Sequence, residues 1–314
     1  MTYLNITNFE GAAEKHYAGL KDSIISKLNN SNLKKEMKTF LSDNLENILK
    51  GDPLKLIDVE RKFNEKAAAL HLTTGARKKK AFFKEIKRAF NYKIFTAKSK
   101  QYDAYDLAEN LDVRVCVYCN RMYTLTVQSG GKITRPEFDH FFSQGKYPLL
   151  ALSFFNLIPS CKICNSTLKH TKEFSIGENL HPYLDDCWQS FRYSFTPSGT
   201  QSLLGAQKQL KVVLKTDSCT DPKLKIKIEN TFEIFKISEI YSGHAEEISD
   251  ILKIRNVMTD NYLEILRTHT YRHLQLTEDE LYRLAFGTYR EEVNFHKRPF
   301  SKLKKDILKE LGMI

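Results

Sequence analysis

Two short cysteine pairs constrain this chain more than any other feature of its sequence. The first pair is Cys116 and Cys119, the second is Cys161 and Cys164, and 41 residues separate them. Two intervening residues let both thiolates of a pair reach one tetrahedral ion from a tight turn, and Zn²⁺ is the usual occupant. We therefore predict a structural zinc site formed by all four cysteines. Two separate buried pairs or a redox CxxC are the alternatives, although neither pair lies in a thioredoxin-like βαβ pattern.

A zinc ion held by four sulfurs has no open coordination position, so any chemistry requires other residues. The candidates are Asp139 and His140, then Asn156, and then Asn165 directly after the last cysteine. Adjacent residues of an extended chain project to opposite sides, so one of Asp139 and His140 can bind a metal while the other faces a water. Taken singly, these residues also fit a surface pair, a loop residue and a helix N-cap.

The order CxxC, Asp-His, Asn-Leu and CxxC-Asn, followed by Lys169, resembles the HNH endonuclease superfamily. The fold of that superfamily is a ββα-metal unit, which a zinc ion on four cysteines often braces. The resemblance covers 57 residues, from Cys116 to Lys172. A narrower resemblance is to the bacterial HNH nucleases that are encoded beside ATPases in Septu-type and retron-linked anti-phage systems. The segments that carry it are 139–142, 146–148, 156–161 and 181–183.

The resemblance implies a role for each candidate residue. His140 is the general base that deprotonates the attacking water, and Asn156 holds the base and its water in position. Asp139 and Asn165 bind one catalytic Mg²⁺ or Mn²⁺, which polarises the scissile phosphate and stabilises the leaving 3′-oxygen. Their oxygen donors favour such a hard ion over catalytic zinc. Lys169 stands where other members have histidine, so it either contacts phosphate or lies on a solvated face.

The positive charge of the chain is concentrated in one segment. The formal charge is +11, and residues 77–100 contain ten basic residues against one acid, Glu85. Phe83, Ile86 and Phe90 recur there at helical spacing, which predicts an amphipathic helix with a basic outer face. Such a face attracts nucleic acid through counterion release, and the alternatives are a solvated face or a membrane surface. The residues assigned to nucleic-acid binding are Arg77, Lys78, Lys79, Lys80, Lys84, Lys87, Arg88 and Lys169.

The patterns predict an α+β fold in which a small zinc-braced ββα-metal (HNH) unit lies between mainly helical regions. We expect a basic helical region over 1–105, the nuclease core with the zinc site over 106–195, and a mostly helical region over 196–314. The predicted strands are 122–127, 132–135, 210–215 and 224–228. The predicted helices include one that starts at a capping box over 43–46, those over 58–72 and 165–170, and several after 238, one of them with a capping box at 277–280.

The resemblance, together with the basic segment, implies a metal-dependent HNH endonuclease that cleaves DNA with low sequence specificity, as the effector of a bacterial anti-phage defence system. The alternatives are a non-catalytic zinc module that binds nucleic acid and an HNH nuclease acting on RNA or tRNA. The sequence contains no GxxxxGK[ST] loop, so the ATPase that the resemblance implies is a partner protein. Without a 20-residue apolar stretch or a secretory pattern, we expect a cytoplasmic protein with reduced or metal-bound cysteines, whose oligomeric state stays open.

Overall fold

A computed structural model describes residues 1–97, 101–197, 210–257 and 262–314, so the end of the predicted basic segment, 98–100, lies outside it. Helices predominate, and the strands of the described residues form separate two-stranded antiparallel sheets. The predicted α+β class is therefore confirmed. None of the helices within the described ranges has the length and apolar character that crossing a membrane requires.

The N-terminal region is helical, as predicted. Asp52 caps the fourth helix, because its side chain accepts hydrogen bonds from the backbone N–H groups of Leu54 and Lys55. The capping box predicted over 43–46 is not formed: Asn44 ends the second helix, and its side chain donates to the Phe40 carbonyl at 2.8 Å. The helices are α1 (Glu10–Asn29), α2 (Lys35–Asp43), α3 (Leu45–Lys50), α4 (Pro53–Ala69), α5 (Ala76–Ala89), α6 (Tyr92–Thr96) and α7 (Ala104–Leu111).

Two antiparallel strands and a helix occupy the centre of the chain. Asp139 lies opposite Ile158 and His140 opposite Leu157 in this strand pair. Of the strand predicted over 122–127, the structure forms only an isolated bridge at Tyr123 and, further on, a two-residue strand. The residues just before this bridge belong to the first cysteine turn. The elements are β1 (Val127–Gln128), β2 (Lys132–Thr134), β3 (Glu137–His140), β4 (Leu157–Ser160) and α8 (Ile163–Lys169), which has π-helical hydrogen bonding.

The C-terminal region corrects one predicted strand. Residues 224–228 belong to a helix, which starts after the capping residue Asp221. The alternation there is only five residues long, whereas Ile228 and Phe232 are buried at the i, i+4 spacing of a helix. The elements are β5 (Arg192–Pro197), β6 (Leu210–Lys215), α9 (Pro222–Ile234), α10 (Ile237–Ser242), α11 (Glu246–Val257), α12 (Tyr262–Ile265), α13 (Glu278–Phe286) and α14 (Ser301–Glu310). Strand β6 is as predicted and pairs with β5.

Buried side chains from all three predicted segments belong to one hydrophobic cluster. Backbone hydrogen bonds also join the segments: the Thr2 N–H donates to the Val117 carbonyl at 2.7 Å, and the Phe300 N–H donates to the Asn120 carbonyl at 2.7 Å. Both acceptors lie in or beside the first cysteine pair. The centre of the chain is therefore enclosed by its two helical regions.

Candidate functional site

The two cysteine pairs form one cluster. The Sγ atoms of Cys116, Cys119, Cys161 and Cys164 all lie within 4.8 Å of one another, and the four residues are buried. None of them forms a disulfide. Four convergent, buried sulfur donors suit a tetrahedral soft-to-borderline ion, so this cluster can hold a metal ion such as zinc.

The strand pair explains why the cysteines meet. The Val117 N–H donates to the Pro159 carbonyl at 3.1 Å, which fastens the first cysteine turn to β4. Strand β4 then leads directly to Cys161. Asn120 closes the first turn with a φ of +46°, a left-handed conformation that asparagine tolerates better than most residues. The pairing of β3 and β4 therefore brings the two cysteine turns together.

Beside the cysteine cluster lies a cavity of about 600 Å³ between β3, α8 and the loop over 143–145. Its walls include Asp139, His140, Asn165 and Lys169, four of the residues that the sequence singles out. Glu137, which the sequence analysis missed, also lines the cavity. Residues 137 and 139 share one face of a strand, and that periodicity is the signal that identifies Glu137.

His140 has the form of a general base. Its Nε2 lies 3.0 Å from the Ala151 carbonyl oxygen. A carbonyl oxygen only accepts, so Nε2 carries the proton and Nδ1 keeps a lone pair. Burial lowers the pKa of His140 to about 4, and the Lys169 charge acts in the same direction. The ring is therefore neutral at pH 7, and its Nδ1 has no hydrogen-bond partner among the described residues.

Asp139 is held between two donors. Its Oδ2 accepts from the Tyr118 hydroxyl at 2.6 Å, and its Oδ1 accepts from the Lys169 Nζ at 2.9 Å. Burial raises the pKa of Asp139 and the Lys169 charge opposes this rise. Lys169 also donates to the His140 carbonyl at 2.8 Å. Tyr118 lies between the cysteines of the first pair, so this network connects the cysteine cluster to the cavity.

Asn165 and Glu137 form a second polar pair. The Asn165 Nδ2 donates to the Glu137 Oε2 at 2.9 Å, and the Ser166 hydroxyl donates to the same oxygen at 3.1 Å. Asn165 does not cap a helix, because α8 already begins at Ile163. Its carboxamide is therefore engaged with Glu137 and makes no hydrogen bond to Asp139.

Asn156 is buried and braces the segment that orients His140. Its Oδ1 accepts from the Phe142 N–H at 2.7 Å, while its Nδ2 donates to the Leu150 carbonyl at 2.8 Å. Leu150 precedes Ala151, whose carbonyl accepts from the imidazole. Asn156 does not line the cavity, so it can position the base only through the backbone.

The arrangement differs from the expected divalent-ion site at Asp139 and Asn165. Both Asp139 oxygens accept hydrogen bonds, and a Lys169 ammonium lies 2.9 Å from one of them. An Mg²⁺ ion bound to that oxygen at ~2.1 Å would face this ammonium at close range, which like charges oppose. The Asn165 carboxamide is turned toward Glu137. As arranged, these residues do not fit an ion held jointly by Asp139 and Asn165.

The basic segment forms α5, with the predicted amphipathic character. Ile86 and Phe90 are buried, and Phe82 is more deeply buried than Phe83. The helix packs against the short helical segment Pro148–Leu152, which carries the Ala151 carbonyl. All seven basic residues are exposed, and none forms an ion pair with a described residue; they are Arg77, Lys78, Lys79, Lys80, Lys84, Lys87 and Arg88.

The cavity thus combines a neutral imidazole with a buried carboxylate–ammonium pair, close to a four-cysteine cluster. His181, from the segment over 181–183, packs on the Phe141 ring with 4.2 Å between centroids and does not line the cavity. Comparison of the chain with protein-family models, with curated proteins and with solved structures found no match. The chemistry of the cavity is therefore the basis on which a function can be assigned.

Proposed function

We propose that this chain is an HNH-type nuclease that hydrolyses phosphodiester bonds in DNA. The observation that supports the proposal most strongly is the convergence of Asp139, His140, Asn165 and Lys169 on one cavity beside the four-cysteine cluster. Strands β3 and β4 are followed by α8 and so have a strand–strand–helix order, although these strands differ from the ones predicted over 122–127 and 132–135. Such a convergence of residues far apart in sequence is not required by core packing.

His140 is the general base in this proposal. A water in the cavity loses a proton to Nδ1 as its oxygen attacks phosphorus, and the bond from phosphorus to the 3′-oxygen breaks. The leaving oxygen takes a proton from solvent. A neutral imidazole with a free Nδ1 has the protonation state that this step requires, and general-base catalysis typically contributes 10²–10⁴-fold to a rate. No divalent ion at Asp139 takes part in this step.

The exposed face of α5 is the proposed DNA-binding surface. Its lysines and arginines have no acidic partner among the described residues, so they are available to phosphates. Contacts of this kind neutralise the backbone without reading bases. We therefore propose cleavage with low sequence specificity.

The biological setting follows from the narrower resemblance over 139–142, 146–148, 156–161 and 181–183. On that basis we propose that the nuclease is the effector of a bacterial anti-phage defence system and acts with a partner ATPase. Phage protection in cells that express the chain together with a candidate partner ATPase tests this setting. Loss of protection in a His140→Ala variant is the expected result.

A cleavage assay tests the proposed activity. Plasmid DNA, single-stranded DNA and RNA are incubated with wild type, His140→Ala and the control His273→Ala, whose histidine is exposed. We expect His140→Ala to lose about 10²-fold or more in rate and the control to match wild type. Equal cleavage by wild type and His140→Ala contradicts the proposal.

Two alternatives are decided by the same assay. A non-catalytic zinc module shares the basic α5 face, and it predicts DNA binding without cleavage by any variant. An RNA or tRNA nuclease uses the same base and predicts cleavage of RNA alone. The exposed charge of α5 suits either nucleic acid.

A further inference from the structure

We propose that the ammonium group of Lys169 replaces the catalytic divalent cation that HNH chemistry implies. Cleavage in this cavity then requires neither Mg²⁺ nor Mn²⁺. The inference rests on the proposed nuclease function and specifies its electrostatics. It starts from the disagreement between the geometry around Asp139 and the geometry of an ion site.

Lys169 is fixed where a cation is needed. The residue is only 2% exposed, yet it lines the cavity. Its Nζ bonds the Asp139 Oδ1 at 2.9 Å and the His140 carbonyl at 2.8 Å, and it lies 4.8 Å from the centroid of the Phe174 ring. The Asp139 carboxylate, expected to bind an ion, instead binds an ammonium. The chain itself therefore supplies the cation.

The position of Lys169 on α8 supports the same conclusion. It follows Asn165 by four residues, about one turn along α8, at the place where other members of the resembling superfamily have a histidine. A neutral imidazole there would complete an ion site, whereas an ammonium is a donor with no lone pair. A lysine at this place both removes a ligand and adds a positive charge. Both effects oppose binding of a divalent ion.

The proposed step balances without a metal. Water supplies the nucleophile, His140 takes its proton, the bond from phosphorus to the 3′-oxygen breaks, and the leaving 3′-oxygen takes a proton from solvent. An ammonium carries three N–H donors, and the two oxygens bonded by Lys169 use two of them. In the proposed step the third N–H donates to a non-bridging phosphate oxygen, where the negative charge of the transition state develops. No reactant other than water is consumed.

Cleavage without divalent ions is the first test. Zinc-loaded wild type, Lys169→Met, Lys169→Arg and the control Lys172→Met, an exposed lysine, are freed of Mg²⁺ and Mn²⁺ and assayed on DNA. We expect wild type and control to cleave at rates that added Mg²⁺ does not raise. Lys169→Met should lose about 10²-fold, and Lys169→Arg should lose less because it keeps the charge. Wild-type cleavage that appears only with Mg²⁺ or Mn²⁺ overturns the inference and leaves the proposed function intact.

Mn²⁺ binding, followed by electron paramagnetic resonance, is a readout independent of activity. We expect no bound Mn²⁺ in wild type, one per chain in Lys169→Met, and none in the double variant Asp139→Asn/Lys169→Met. The double variant shows whether Mn²⁺ bound by Lys169→Met is held by the Asp139 carboxylate. Stoichiometric binding to wild type overturns the inference. Absence of any cleavage, with His140→Ala equal to wild type, defeats the proposed function instead.

Discussion

The Tyr118 hydroxyl connects the cysteine cluster to the cavity through Asp139. Tyr118 is fully buried between Cys116 and Cys119, and its hydroxyl donates to Asp139 at 2.6 Å. Asp139 in turn bonds Lys169, which bonds the His140 carbonyl. A side chain within the first cysteine turn therefore helps to fix the backbone that carries the proposed base.

Removing this hydroxyl should destabilise the fold. Tyr118→Phe leaves a buried carboxylate without one of its donors, and we expect the free energy of unfolding to fall by about 1–3 kcal/mol. Tyr123→Phe is the matched control, because Tyr123 is 55% exposed and should change stability by less than about 0.5 kcal/mol. Urea denaturation measures both. Equal stabilities for Tyr118→Phe and wild type would contradict the network.

At the residue scale, the sequence is informative where spacing is local. The two CxxC pairs allow the four-cysteine cluster to be predicted, because each turn can place two sulfurs on one ion. The bond between Asp139 and Lys169 joins residues 30 positions apart, and it depends on how α8 packs on β3. The pairing of Asn165 with Glu137 likewise follows from that packing. Neither contact can be predicted from residues that are close in sequence. For this reason the ion site expected at Asp139 and Asn165 differs from the observed geometry.

At the scale of elements, charge and hydrophobic periodicity correctly predict that α5 is an amphipathic helix, whereas periodicity wrongly predicts a strand within α9. Seven basic residues along α5 face solvent while its apolar side packs inward, so both signals agree. In α9 a five-residue alternation suggests a strand, but the Asp221 cap and the buried Ile228 and Phe232 favour a helix. Short alternations carry less information than capping combined with burial at helical spacing.

Charge reversal on α5 should weaken DNA binding without changing stability. Lys80→Glu/Lys84→Glu removes two positive charges from the proposed surface, and the matched control Lys223→Glu/Lys225→Glu changes two exposed lysines of α9. We expect only the first variant to lower the affinity for DNA. The slope of the logarithm of the binding constant against the logarithm of the salt concentration should become smaller in magnitude by about 1–2. Fluorescence anisotropy at several salt concentrations measures this. Identical slopes for both variants would argue against α5 as the DNA surface.

At the scale of the whole molecule, the cysteine cluster connects the two helical regions. The Tyr241 hydroxyl of α10 donates to the Cys119 carbonyl at 2.6 Å, and the Thr2 N–H donates to the Val117 carbonyl at 2.7 Å. The predicted segments 1–105, 106–195 and 196–314 therefore meet at the first cysteine turn. A change that destabilises this turn should therefore lower the stability of all three segments.

Removing the metal should loosen the whole molecule. We expect one zinc per purified chain, and less in Cys161→Ser, because a missing thiolate leaves three ligands. Extraction of zinc should increase amide exchange in α1, β4 and α10 together and lower the melting temperature. Elemental analysis combined with hydrogen exchange measures both effects. An increase in amide exchange that is confined to the two cysteine turns would contradict the prediction that the cluster stabilises all three segments.

Buried histidines should make the fold sensitive to acid. Burial lowers the pKa of His16, His140 and His296 to about 4 and that of His181 to about 3. Below pH 6.5 the unfolded chain binds protons at these sites before the folded chain does, so stability falls as the pH drops from 6.5 to 4. Each fully buried histidine contributes up to about 3 kcal/mol.

Burial also raises the pKa of Glu60 to about 7, which acts in the opposite direction between pH 4.5 and 7. Burial also raises the pKa of Asp139 and of Asp306, so three acids oppose the four histidines, and we expect a net loss of stability in acid. Urea denaturation at pH 6.5 and pH 4.5 measures it, and His16→Gln should reduce the dependence by about one proton. Equal stability at the two pH values would contradict the prediction.

The most direct test of the central claim is the single-turnover rate of DNA cleavage by wild type and His140→Ala at neutral pH. The convergence of His140, Asp139 and Lys169 on one cavity predicts measurable cleavage by wild type and a loss of about 10²-fold or more in the variant. Equal rates for two folded, zinc-loaded proteins would contradict the assignment of this cavity as a nuclease site.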